Sequence, residues 1–192
     1  MQPLNVPDGT PLKLRMAAKP GSALVDTDAV ALPAMRATGG VFGVMYMVDE
    51  GDHYTSINQS ELEAVGMTLD SLHRLALNNL KKLVQGDQPG LKFQPGPLLK
   101  MFMMGGDFES SLVLVDELWD VSVPHETPGD LNVCIAARDI CIYCSAQSTQ
   151  GLARLREIAK DLEQRSPQNF ISTQILRRAR GRWSIVGSAT SP

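Results

Sequence analysis

Residues 131–145 read Leu131-Asn132-Val133-Cys134-Ile135-Ala136-Ala137-Arg138-Asp139-Ile140-Cys141-Ile142-Tyr143-Cys144-Ser145. Two strand-like runs, Leu131–Ala136 and Ile140–Ser145, flank a short polar break, which predicts a β-hairpin. Thr149 then opens a segment in which Leu152, Leu155, Ile158, Ala159 and Leu162 recur at intervals of three and four, one face of a helix. Further along, Ile171–Arg178 and Arg182–Val186 predict a second hairpin around Gly181. Hairpins mixed with amphipathic helices place the chain in the α+β class.

The same reading extends toward the N-terminus. Strands are expected at about Leu91–Gln94 and Leu98–Met104, followed by a Gly105-Gly106 turn and a helix from Phe108 to about Trp119. Ser60 is placed to cap a short helix ending at Gly66, and Thr68 a longer one to about Val84. On the longer helix Leu69, Leu72, His73, Ala76, Leu80 and Leu83 share a face, and Gly86 and Pro89 stop it. Val41–Val48 is apolar on both strand faces, so that strand should be central in a sheet or covered on both sides. Pro3, Pro7, Pro11, Pro20 and Pro33 break up the first forty residues, within which Leu12, Leu14 and Met16 alternate with Lys13 and Arg15 as one strand. The expected organisation is an irregular segment, 1–40, packing on a single α+β domain, 41–192. That domain is a mixed or mainly antiparallel sheet of hairpins covered by about three helices.

Composition narrows the function classes. The chain has 192 residues, 43% of them hydrophobic and 20% charged, with net charge −3. That suffices for a substantial core and argues against both a basic nucleic-acid binder and an acidic disordered tail. With 5% aromatic residues, an extended stacking platform is not expected. The first residues carry no basic and apolar leader pattern, and no apolar run approaches the ~18–20 residues of a membrane span. Three cysteines fit reduced thiols better than a disulfide framework, so a cytoplasmic setting is expected.

Several strings occur together and in order: Val44-Met45-Tyr46-Met47-Val48-Asp49, Tyr54-Thr55-Ser56-Ile57, Ala76-Leu77-Asn78-Asn79-Leu80, Gly105-Gly106-Asp107-Phe108-Glu109-Ser110-Ser111-Leu112, Asp116-Glu117-Leu118-Trp119, Gly129-Asp130-Leu131 and Ala137-Arg138-Asp139. Over about residues 41–186 the chain resembles the YtpQ-like family of uncharacterised bacterial proteins, most specifically from Gly105 to Trp119. The resemblance implies a fold and a cytoplasmic bacterial setting, and no activity. The chain departs from the family pattern in a short N-terminal region and in Ala137, where proline is expected before the Arg-Asp pair.

The residues that carry chemistry are mostly charged. Asp107, after Gly105-Gly106, is placed to cap the following helix, and Glu109 lies in its first turn, where a negative charge is favoured. On a continuous helix Glu109, Asp116 and Asp120 share a face opposite Phe108, Leu112, Val115, Leu118 and Trp119. Asp116 and Asp120 repel unless a cation answers them, whether a metal, a partner or an arginine of the same fold. Arg177, Arg178, Arg180 and Arg182 crowd the last hairpin and are candidates to answer that face.

Cys141-Ile142-Tyr143-Cys144 has C-x-x-C spacing, but residues three apart on a strand point to opposite faces and cannot share a metal. A two-residue turn at Ala137-Arg138 sets Cys134 directly opposite Cys141, within reach of a cross-strand bond. Buried free thiols are the expected state in a reducing compartment. His73 borders the apolar face of its helix, while His53 and His125 sit in loops. No nucleophile elbow, H-E-x-x-H or Walker pattern accompanies them.

Two functional classes follow. The first is a non-enzymatic protein-interaction or accessory and regulatory domain. Its candidate surface is Glu109, Asp116, Asp120, Arg177, Arg178, Arg180 and Arg182, with a turn site at Gly105, Gly106 and Asp107, and it needs neither cofactor nor metal. The alternative is a carboxylate-based hydrolase using Asp107, Glu109 and Asp116, with or without a metal. A protein partner is expected, and neither a membrane nor nucleic acid.

Overall fold

The computed structural model describes residues 12–18, 35–37, 42–49, 54–86, 90–123 and 127–187. His53, His125, Pro89 and the five N-terminal prolines lie outside the described residues. Chain contacts fall into two compact units, Met1–Leu83 and Val84–Pro192. Residues 42–49 pair with strands on their N-terminal side, so these stretches belong to one unit.

In the first unit, β3 (Phe42–Asp49) is the central strand. Along one edge it pairs antiparallel with β1 (Leu12–Ala18), from Leu12↔Val48 to Ala18↔Phe42. The other edge is shared by β2 (Met35–Ala37) and β4 (Tyr54–Ser56), also antiparallel. A strand apolar on both faces thus lies central, as its composition requires, with Val44 and Tyr46 fully buried. Two helices follow, α1 (Gln59–Ala64) and α2 (Leu69–Gln85). Leu72, Ala76 and Leu80 of α2 are buried, and His73 Nδ1 lies 3.0 Å from the Tyr46 hydroxyl, which ties α2 to β3.

Thr68 caps α2 by accepting from the Ser71 amide, as expected. The cap of α1 is Asn58, not Ser60. Its side chain accepts from the Glu61 amide while the Glu61 carboxylate accepts from the Asn58 amide, a capping box. Ser60 instead donates its hydroxyl to Asn58 Oδ1.

The second unit is built on six strands: β5 (Lys92–Gln94), β6 (Lys100–Met103), β7 (Leu131–Cys134), β8 (Cys141–Ser145), β9 (Ile175–Ala179) and β10 (Arg182–Ile185). Their order across the sheet is β10-β9-β7-β8-β6-β5, and every neighbouring pair is antiparallel. Helix α3 (Thr149–Arg165) covers one face, packing Leu155 and Ala159 on Cys134, Ala136, Ile142, Cys144 and Ile175. The described residues are therefore α+β with antiparallel sheets, and among them no helix is long and apolar enough to cross a membrane.

The β7–β8 hairpin forms, but with a different register. Cys134 faces Ile142, one position from the expected pairing with Cys141. A turn closes from the Ala137 carbonyl to the Ile140 amide around Arg138-Asp139, but it does not continue the ladder, whose pairs end at Cys134↔Ile142. Residues 136–138 are also engaged elsewhere: the Ala136 carbonyl accepts from the Ile171 amide, and the Arg138 amide donates to the Asn169 carbonyl. A second, non-local segment thus sets where the hairpin turns. Cys134, Cys141 and Cys144 are all buried free thiols.

Gly151 lets α3 approach β8. A β-carbon there would sit 2.8 Å from Cys144 Sγ and 2.9 Å from both Cys144 Cβ and Ser148 Oγ. Helix propensity alone favours alanine over glycine by about 1 kcal/mol. Overlap with a strand β-carbon that cannot rotate away costs about 1–3 kcal/mol and outweighs it. Gly151→Ala is therefore expected to lower the urea midpoint; a raised midpoint shows that propensity wins and that α3 has room to move.

Candidate functional site

The Gly105-to-Trp119 stretch is where sequence reading and structure diverge most. In place of one α-helix, residues Glu109–Leu114 form a 3₁₀ helix, and a π-helical turn follows at Leu118–Ser122. Val115 separates them with an extended ψ of 83°. This break resets the helical phase, so Glu109 does not share a face with Asp116 and Asp120. The apolar side is as expected: Phe108, Leu112, Val115, Leu118 and Trp119 are buried, and the Trp119 indole donates to the Leu112 carbonyl at 2.8 Å.

Glu109 is no surface charge; it is 2% exposed. One carboxylate oxygen accepts from the Met104 and Gly106 amides at 2.6 and 2.8 Å, and the other from the Phe108 amide at 3.1 Å. A buried carboxylate is tolerable only with such partners. Here it holds the turn whose Gly105 and Gly106 adopt φ of 89° and 90°. Asp107 does not cap the helix, since Phe108 occupies the cap position without a side-chain bond. Its carboxylate lies 3.9 Å from the Arg138 guanidinium. The turn's outward chemistry is thereby limited, because Glu109 already engages three of the amides an anion would need.

Arg178 joins the two charged stretches. It lies on β9 with a side chain 6% exposed, and donates to Asp116 and to Asp120, each at 2.7 Å. The guanidinium also lies over the Trp183 ring, 5.1 Å from its centre. Trp183 meets Trp119 edge to face, and Trp119 packs on Phe102 and Tyr143. The acidic pair is thus answered by an arginine of the same fold, one of the possibilities raised by its spacing. Arg177, the preceding residue, donates from Nε to Asn132 Oδ1 at 2.9 Å. Arg180 and Arg182 remain exposed at the hairpin tip.

The candidate surface therefore needs correction. Glu109 and Arg178 are buried and belong to the interior of their unit, while Asp116, Asp120, Arg180 and Arg182 reach solvent. Asp107, Glu109 and Asp116 have separate partners: Arg138, backbone amides and Arg178. Among the described residues no group of three or more His, Cys, Asp or Glu side chains could hold a metal. The Trp183 contact and the Arg138 approach to Asp107 were not foreseen. The first was readable, because a two-residue turn at Arg180-Gly181 sets Arg178 opposite Trp183. The second has no local signal.

Burial pushes the Cys134 thiol from its ordinary value near 9 up to about 11, and pushes Cys141 well above its ordinary range. Cys144 is raised as well, first by burial, with Asn132 and Arg177 opposing. These thiols are core groups and poor nucleophiles. No family model, curated protein or solved structure significantly matches this chain.

Two outcomes follow from this arrangement. Glu109→Gln puts an amide NH2 against a backbone donor and should cost about 2–3 kcal/mol of unfolding free energy; an unchanged urea midpoint contradicts the anchoring role. Stability should also fall as pH rises from about 9 to about 11, because the unfolded Cys134 thiol ionises first while the folded one stays protonated. At 1.36 kcal/mol per unit that is about 2–3 kcal/mol, and Cys134→Ala should flatten the slope. An identical slope in that variant contradicts the assignment.

Proposed function

We propose that this chain is a non-enzymatic protein-interaction or accessory domain of the bacterial cytoplasm. The resemblance to the YtpQ-like family motivates the bacterial and cytoplasmic setting. One observation carries the reading: each carboxylate a hydrolase would use already has a structural partner. Asp116 serves Arg178, Glu109 serves the Met104–Phe108 turn, and Asp107 faces Arg138. A hydrolase built on paired carboxylates needs both groups within reach of one bond. Charged side chains still exposed beside the Arg178 cluster suit electrostatic docking, which governs encounter rate and partner choice.

Affinity purification of the full chain from its native host tests this reading. A protein partner recovered in stoichiometric amount is expected; recovery of none overturns it. Millimolar magnesium or manganese should leave the melting temperature unchanged. A rise of several degrees would instead favour the metal-assisted hydrolase.

A further inference from the structure

The β9–β10 hairpin turns through Arg180 and Gly181, whose φ angles are 49° and 73°. Two central residues in the left-handed region define the turn that suits the right-handed twist of a hairpin, and Asn-Gly is its favoured pair. Arg180 is the one residue other than glycine with positive φ among the described residues. A long β-carbon-bearing cation there conflicts with its own backbone, and such local conflicts concentrate at functional positions.

The surrounding arginines sharpen the contrast. Arg178 is enclosed by Asp116, Asp120 and Trp183, and Arg177 is tied to Asn132. Arg180 and Arg182 are exposed, and neither makes an ion pair among the described residues. Arg182 lies opposite Ala179, whose short side chain leaves the guanidinium uncovered across the ladder.

We propose that the Arg180–Arg182 tip docks a carboxylate-rich segment of a partner protein; this rests on the interaction-domain reading above. A guanidinium binds a carboxylate through two parallel N–H donors, and two of them at one hairpin tip offer a spaced pair of such forks. The partner is acidic protein rather than nucleic acid for two reasons. The chain carries net charge −3, and the neighbouring aromatic, Trp183, already has its ring engaged by Arg178 and Trp119 instead of standing free as a stacking platform.

The test uses the full chain and a fluorescein-labelled decaglutamate peptide, read by anisotropy at low salt. The wild type should bind, and Arg180→Asn with Arg182→Ser should weaken binding by about tenfold or more. That double variant should melt no lower than the wild type, since asparagine suits the left-handed turn. The tip assignment is overturned by no peptide binding to the wild type, by unchanged binding in the variant, or by tighter binding of an oligothymidylate of equal charge. Partner recovery from the host separates the two levels. A stoichiometric partner captured equally by wild type and variant overturns the tip and keeps the interaction reading, whereas recovery by neither overturns the reading itself.

Discussion

An arginine cannot lose its charge, so burying one obliges the surrounding structure to supply acceptors. Arg178 imposes that obligation on the second unit. It sits on β9 with a side chain 6% exposed, and its partners come from the segment after Val115. Asp116 and Asp120 supply the carboxylates, at 67% and 51% exposure, while Trp183 supplies a ring face from β10. The cluster connects β9 and β10 to the helical segment and continues through Trp119 into Tyr143 and Phe102. The face of the sheet away from α3 is thus held by an ionic and aromatic assembly, where the α3 face uses aliphatic packing.

Glu109 performs a matching task with the opposite charge. Its carboxylate replaces water for three backbone amides and so holds the glycine turn between β6 and the 3₁₀ helix. Both groups look like surface charges in the sequence and both are interior. Enclosing one cation and one anion leaves the net charge of −3 unchanged while taking both groups off the surface. With Arg178 and Glu109 enclosed, the exposed charge includes the two aspartates and the hairpin-tip arginines.

Much of the fold was legible because it follows from local periodicity. The two-faced apolar run at 42–48 reads as a central strand, the spacing of Leu72, Ala76 and Leu80 as a buried helix face, and Gly181 as a hairpin turn. Two kinds of feature were not. The β7–β8 register depends on hydrogen bonds from Asn169 and Ile171, more than thirty residues away, which turn chemistry at 137–139 does not encode. The break at Val115 was equally invisible, because Glu109–Trp119 has an acceptable α-helical pattern. The Trp119 indole takes the Leu112 carbonyl that the Asp116 amide would use in a continuous α-helix, and the chain breaks between them at Val115. That one error of phase made Glu109 appear to share a surface with Asp116 and Asp120. Within the candidate site, the pairing of acidic and basic stretches was anticipated as chemistry but not as burial.

Arg178 and the two aspartates form one ionic unit of the fold and not two docking surfaces. A double-mutant cycle by urea unfolding, combining Arg178→Met with Asp116→Asn and Asp120→Asn, tests it most directly. The carboxylates are half exposed, which places the coupling below that of a fully buried pair, at about 1–2 kcal/mol. A coupling of that size, with the aspartate substitutions nearly harmless once Arg178 is gone, is the predicted result. Additive effects, with Arg178→Met leaving stability unchanged, would contradict it and return these charges to the surface.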